Sequence, residues 1–549
     1  MLASGGKRAV RGDAGLVTSV EPNASRIGAE VLRKGGNAVD AAVAVAFALA
    51  VTHPSAGNIG GGGFMIVRLA GGEVHAIDFR EAAPASATPE SNAAMIQAGA
   101  IGYESAGVPG SVAGLGLALE RFGSRPLAEL LAPSIALARK GHRLGARQAL
   151  TLKWTWPKLK LDPAARAIWG RGKEPHRKGD LVRQIDLART LEALAREGPR
   201  AFYEGPVGQK IAAAMRERGG RITQADLAAY QAKLRAPIRF SYRGFTVDTM
   251  PPPSMGGVAF AQIMLALERA KAHEAPADSG LSLHLFVEAA KRAYADRRRA
   301  SADPDFVPPG TSDTLARLLD GAYLAGRRPA IDPERATPAG DIAPPADAVA
   351  LESPQTTHFS VVDAQGNAVA CTTTQSAGFG ARVVIPETGI LLGNAMGGFS
   401  AAGINVVAPG KRMLSSMTPA IAAQGGRLAL VLGSPGGDTI PNTVAQVFRN
   451  AVDHGMTIDE AIAYPRVHHQ WLPDKVRAER QTPPPRAALD DLRRRGHVVE
   501  LDPNPIGDTN NILVDAAGVA WGFADTREGG EAVGVAKAPA GAERARAGP

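Results

Sequence analysis

Thr356 and Thr357 open the run Thr356-Thr357-His358-Phe359-Ser360-Val361-Val362-Asp363, deep inside a chain of 549 residues. Its β-branched and aromatic residues predict a half-buried strand. A turn at Ala364-Gln365-Gly366-Asn367 and a second strand, Ala368 through Thr374, complete a hairpin. A threonine hydroxyl alone is a poor nucleophile. Cutting the Gln355–Thr356 bond would give Thr356 a free α-amine with a pKa near ~8, a general base on the same residue as the hydroxyl. The pattern therefore predicts an enzyme that cuts itself. Residues 327–355 ahead of it include Pro329, Pro333, Pro338, Pro344, Pro345 and Pro354. A run so rich in Pro, Ala and Asp packs little apolar surface and is expected to be mobile, as a processing segment should be.

Other stretches fall in order around this hairpin. They are Gly35-Gly36-Asn37-Ala38-Val39-Asp40-Ala41-Ala42, His53-Pro54, Asn58-Ile59-Gly60-Gly61-Gly62-Gly63-Phe64, and Asp78-Phe79-Arg80-Glu81. Met250-Pro251-Pro252-Pro253-Ser254, Leu414-Ser415-Ser416-Met417, Gly433-Ser434-Pro435-Gly436-Gly437 and His468-His469-Gln470-Trp471 follow. Together they resemble the γ-glutamyltransferases (γ-glutamyltranspeptidases, or glutathione hydrolases), which are N-terminal-nucleophile hydrolases; Thr356–Ser400 is similar to the start of that family's small subunit. The resemblance implies an α+β fold, the four-layer αββα sandwich. It implies a large subunit 1–355 and a small subunit 356–549, a non-covalent heterodimer that together makes one αββα unit. It also implies roles: Thr356 as nucleophile, Thr374 as its hydrogen-bond partner, and Gly436 and Gly437 as oxyanion donors. Glycine suits a backbone that must approach substrate closely. Arg80, Ser415 and Ser416 match the family's grip on the donor carboxylate, a guanidinium fork completed by two hydroxyls. A small-molecule amide is the expected substrate, with no cofactor and no metal.

One part of that pattern is missing. Where typical members hold the donor's α-ammonium with Asn, Gln and Asp, this chain has Ser376, Ala395 and Gly398. The site's negative charge is lost, and a buried ammonium without a carboxylate is costly. The expected donor therefore carries a carboxylate but no α-amino group, such as a glutaryl amide, with Ser376 as a neutral substrate contact. Glu387 or Asp438 is the alternative source of the lost charge. The segment between Phe399-Ser400 and Gly410-Lys411-Arg412 is short beside lidded relatives, which favours hydrolysis over transfer. Three readings stay open: γ-glutamyl amide or glutathione cleavage, an acylase for glutaryl-cephalosporin or oxamate-type amides, and an inactive relative that binds.

The elements that must position these residues are legible in the same rows. Asn37 is a helix N-cap, and Ala38–Val51 is apolar on nearly every side, as a buried helix is. Ser25–Lys34 precedes it; further helices are expected at Ser111–Arg121, Leu127–Lys140, Leu187–Glu197, Gly208–Glu217, Gln224–Ala229 and Ala259–Ala270. Strands are expected at Phe64–Leu69, Ala76–Phe79, Val247–Met250, Arg382–Ile385, Ala420–Ala423, Leu428–Gly433 and Ile512–Val514.

The net charge of +9 is spread over the chain and aromatics make up 5%, so neither a basic arm nor a stacking platform for nucleic acid is present. Arg297-Arg298-Arg299 reads as a solvated face or an ion-pair site. The most apolar stretch, Ala41 to Val51, is too short for a membrane span, and the first residues lack a secretory signal's apolar run; the cytoplasm is the expected compartment. Cys371 is the single cysteine, expected to be buried. Asn58–Gly63 reads as a packed turn rather than a phosphate loop, and His468-His469 as structural hydrogen bonding.

Overall fold

Strand-forming residues build two seven-stranded sheets, every neighbouring pair antiparallel. A computed structural model of the chain describes residues 2, 6–300, 303–307, 313–327, 330–343 and 355–537. In chain order the strands are β1 (Val10–Gly12), β2 (Gly15–Ser19), β3 (Gly62–Arg68), β4 (Val74–Asp78), β5 (Lys233–Arg235), β6 (Ile238–Tyr242) and β7 (Phe245–Thr249). They continue with β8 (Thr356–Asp363), β9 (Ala368–Thr374), β10 (Ala420–Gln424), β11 (Arg427–Leu432), β12 (Asn510–Val514), β13 (Ala520–Ala524) and β14 (Glu531–Gly534). The first sheet runs β1-β13-β12-β11-β10-β7-β6 and the second β14-β2-β8-β9-β3-β4-β5.

The sheets pack face to face. Leu16, Phe64, Ile66 and Val362 of the second sheet share one core with Val247, Ile421, Leu430 and Ile512 of the first. Helices α1 (Pro22–Arg33) and α2 (Ala38–Thr52) cover the second sheet, where Phe359, Val361, Val369 and Cys371 meet Val39, Val43 and Phe47. Helix α3 (Gly256–Arg269) lies on the first sheet with α5 (Ile440–Asp453), and α4 (Gly280–Ala300) packs on α3. Four layers result, αββα, as the family resemblance implies.

Asn37 caps α2, accepting from the N–H groups of Val39 and Asp40, and all fifteen residues of that helix are buried. Strand β8 differs from expectation. All eight of its residues are buried rather than half of them. The reason is its central place: Phe359 and Val361 face the helical layer while His358, Ser360 and Val362 face the opposite sheet. The proline-rich segment also differs where it is described. Thr337, Ala339, Ile342 and Ala343 are buried, the last three in the main core, while 332–335, 338, 340 and 341 are exposed, so this stretch is anchored at its end rather than wholly loose. Residues 328, 329 and 344–354 of the expected processing run lie outside the described residues, as do 538–549.

Candidate active site

Register places the candidate residues on one row. Thr356 of β8 is opposite Thr374 of β9, which is opposite Gly62 of β3. Gly63 and Phe79 exchange backbone hydrogen bonds, so Arg80 falls level with Gly62, three inter-strand steps or about 14 Å from Thr356. Thr374 is the hub of this row. Its Oγ1 accepts from the Thr356 hydroxyl at 3.3 Å and from the Ser376 N–H at 2.9 Å, and donates to the Gln355 carbonyl oxygen at 2.9 Å. One hydroxyl thus touches both the expected nucleophile and the carbonyl on the bond before it.

Asn58 fixes the end of β9, donating to Thr373 Oγ1 and the Thr374 carbonyl, both at 2.9 Å. Its Oδ1 accepts from the Gly61 N–H and the Ser111 hydroxyl. A Cβ on Gly61 would stand 2.5 Å from the Thr374 carbonyl oxygen, and one on Gly62 2.5 Å from Glu81 Oε2. The glycine run is there for close packing beside Thr374, as the packed-turn reading has it.

Gly433 follows β11 and lies against the His358 ring, on the face of β8 that also carries Thr356. The loop it starts reaches Gly436 at φ +134° and Gly437 at φ +58°, both left-handed-side conformations that glycine tolerates. A short 3₁₀ turn, Gly437–Thr439, then runs straight into α5, and N–H groups at such a start have no partner within the helix.

Arg80 is fully buried, with Nη1 3.2 Å from Glu81 Oε2. Its backbone is held at both ends: its N–H donates to Asp78 Oδ1 at 3.0 Å, and its carbonyl accepts from the Tyr230 hydroxyl at 2.8 Å. Asp78 is itself paired to Arg235 and Arg412. Ser415 and Ser416 are buried; Ser415 Oγ accepts the Met417 N–H at 3.1 Å, and Ser416 donates to Asp438 Oδ1 at 3.1 Å. Arg297 bonds Ser416 Oγ and pairs with Asp438 at 2.8 Å. The serine pair and the glycine loop are therefore tied through Ser416, Asp438 and Arg297. For Arg297 the ion-pair alternative of the sequence reading holds; its partners, Ser416 and Asp438, were not legible there. It is an inward-facing ion-pair residue, not part of a solvated face, because it lies one turn beyond Ala293 and Tyr294 on the buried side of α4.

The region of the lost ammonium contacts is apolar. Ser376 takes a left-handed φ of +62° and sets its Oγ 3.9 Å from Met413 Sδ. Ala395, Met396, Phe399, Val407 and Met413 form a small buried cluster beside it. Glu387 is corrected as a replacement charge: it is 78% exposed and paired to Lys210 at 3.0 Å. Asp438 is close by, but Arg297 neutralises it.

Histidines here are structural. His468 bonds Asn442 and Gln470, and His469 bonds Asp474 and the Trp471 N–H. Elsewhere His284, Glu288 and His497 bring ligand atoms within 4.8 Å of one another, a grouping the sequence did not suggest. Their donors hold each other instead: His284 Nδ1 and His497 Nε2 are 2.8 Å apart, His284 Nε2 meets the Asp332 carbonyl, and Glu288 pairs with Lys291 and Arg292. No helix among the described residues is long and apolar enough to cross a membrane.

Comparison with known proteins gives a consistent picture. A family model described as gamma-glutamyltranspeptidase matches residues 24–535. The glutathione hydrolase proenzyme of Escherichia coli (strain K12) is 42% identical over 541 residues, covering 94% of this chain and 91% of that one. The acylase ACY 1 proenzyme of Pseudomonas sp. (strain SE83) is 38% identical over 542 residues, covering 96% and 95%. Among solved structures, a cephalosporin acylase from Bacillus halodurans superimposes with a TM-score of 0.86 at 26% identity, over 98% of both chains.

Proposed function

Because the chain belongs to the γ-glutamyltranspeptidase family, we propose that it is an autoprocessing N-terminal-threonine amidohydrolase acting on carboxylate-bearing amides. The observation that carries this reading is the Thr374 hydroxyl, in contact with both Thr356 Oγ1 and the Gln355 carbonyl. In the uncut chain Thr356 Oγ attacks the Gln355 carbonyl carbon as its proton passes to Thr374 Oγ1 and the Thr374 proton passes to the developing oxyanion, from which it reaches the nitrogen as the C–N bond breaks. The C–N bond breaks, the acyl group passes to Oγ as an ester, and the nitrogen becomes the Thr356 α-amine. Water hydrolyses the ester. Fragments 1–355 and 356–549 then remain together as a heterodimer.

In the mature enzyme the α-amine takes the proton from Thr356 Oγ as it attacks the substrate amide. Gly436 and Gly437 donate N–H groups to the oxyanion, and the amine leaves with the proton. Water resolves the acyl-enzyme. Arg80, Ser415 and Ser416 grip the donor's carboxylate. The apolar surroundings of Ser376 favour a donor without an α-ammonium, such as a glutaryl amide, over a γ-glutamyl one. Relatives named as acylase and as glutathione hydrolase both match over more than nine-tenths of each chain, so neither name decides between these donors. The segment 400–410 is pinned by Lys411 Nζ, which donates to the Ile404 and Val406 carbonyls at 2.6 and 2.8 Å. A pinned short segment leaves water free access, so hydrolysis should exceed transfer to an added dipeptide.

The test is intact mass and a denaturing gel of the purified protein beside Thr356→Ala. Two fragments, the smaller beginning at Thr356 and absent from the variant, are expected. A single full-length chain in the unaltered protein would remove the nucleophile and leave a binding role.

A further inference from the structure

We infer that Met413 is a specificity-determining residue: its thioether fills the volume next to the nucleophile row where a donor's α-substituent would stand, and so selects donors without a cationic group there. The inference rests on the reading of Thr356 as nucleophile and of Arg80, Ser415 and Ser416 as the carboxylate grip. Met413 lies between Arg412 and Leu414-Ser415-Ser416, on the segment that carries the serine pair, and it is 2% exposed.

Two contacts define its position. Met413 Sδ stands 3.9 Å from Ser376 Oγ, and the Ser376 N–H is bonded to Thr374 Oγ1, the partner of Thr356. On the other side, a Cβ built on Gly398 would collide with Met413 Cε and stand 3.0 Å from Sδ. Gly398 and Met413 are therefore a matched pair. The end of the methionine occupies space that a side chain at 398 would need, so a carboxylate restored at that position would have to displace the thioether.

The charges nearby are already engaged. Glu81 is paired with Arg80 at 3.2 Å and Asp438 with Arg297 at 2.8 Å. An ammonium pressed against a thioether and the Ala395 methyl would lose its water without gaining a counter-charge. A methylene there gains apolar contact, and a flexible thioether adapts its shape to it. The class of donor selected is a straight-chain dicarboxylic monoamide.

The experiment compares kcat/KM for glutaryl and γ-glutamyl p-nitroanilides in the wild-type protein, Met413→Ala, and Met413→Ala combined with Gly398→Asp. Wild type should favour the glutaryl substrate by at least about tenfold. Met413→Ala should cut that ratio by about fivefold or more, mainly through a lower KM for the γ-glutamyl substrate. The double variant should reverse the preference. A wild-type preference for the γ-glutamyl substrate overturns both the donor reading and this inference. A wild-type glutaryl preference that Met413→Ala leaves unchanged, in protein that is cleaved and melts normally, overturns this inference alone. If Met413→Ala does not fold, Met413→Gln, of the same length but able to accept from an ammonium, decides: a lowered ratio supports the role and an unchanged ratio overturns it.

Discussion

Thr374 shows how much one hydroxyl can be asked to do. It accepts from Thr356 and Ser376 while donating to Gln355, so both its proton and its lone pairs are in use. Replacing Thr374 with Val keeps the β-branched shape and removes the relay. Self-cleavage should slow by about 10²–10³-fold, the usual effect of deleting one oxyanion donor, whereas Thr374→Ser should cleave readily; a timed denaturing gel reads both. Buried histidines give a second prediction. Burial lowers the pKa of His53, His358, His468 and His497 to about 3, and that of His142 to about 4, from an ordinary 6.5. Between those values the unfolded chain binds protons that the folded one refuses. Stability is thus full above pH 6.5 and is lost as the pH falls through this window, by up to about 1.4 kcal/mol per unit for each histidine. Burial raises the carboxyl pKa of Asp508 and Glu528, an effect of opposite sign that offsets part of it. Melting temperature should fall steeply from pH 6.5 to pH 4; a flat profile would contradict it. Thr356 could be singled out because it opens a strand after a proline-rich run, and Thr374 through the family resemblance; their pairing is seen only in the fold. The place of Met413 and the partners of Arg297 were not legible, since a methionine or an arginine in a row of letters does not reveal which distant glycine or serine it meets.

The β8–β9 hairpin was read at its observed bounds, because strand-forming residues end cleanly at Ala364-Gln365-Gly366-Asn367. What its own sequence could not reveal is that both faces would be covered, since that depends on sheet order. Helix α5 escaped notice for a local reason: its start is masked by the Gly-Ser-Pro-Gly-Gly turn, and Pro441 sits in its first turn, where proline costs nothing. Contact between the sheets makes Gly433 sensitive. A Cβ there would stand 2.6 Å from His358 Nε2, and the ring is already fixed by Thr372 and Ser360. Gly433→Ala should destabilise the protein by about 1–3 kcal/mol, as overpacking does. It should also slow self-cleavage, because the displaced His358 ring lies on the same face of β8 as Thr356. Denaturant unfolding and a cleavage time course test the two halves separately.

Both sheets mix strands from before and after Thr356. In the second sheet β8 and β9 lie between β2 and β3, and in the first sheet β10 pairs with β7 and β13 with β1. Neither fragment has either seven-stranded sheet complete on its own. After cleavage the two pieces should co-elute from gel filtration at native pH and separate only in denaturant; separation without denaturant would refute the interleaved arrangement.

That interleaving also gives the molecule a memory of its uncut form. While the chain is continuous, the strands from before and after Thr356 meet at an effective concentration set by the connecting segment, and folding is a first-order event. Cutting leaves every ladder in place but removes this advantage for any later attempt. A mature molecule that unfolds must find its other half by diffusion, at a rate that falls with dilution. Thr356→Ala, never cut, should refold at a rate independent of concentration. On the proposed reading, the peptide bond before Thr356 speeds assembly of the structure and is not required to hold it, so cutting would make the active form harder to rebuild than to keep.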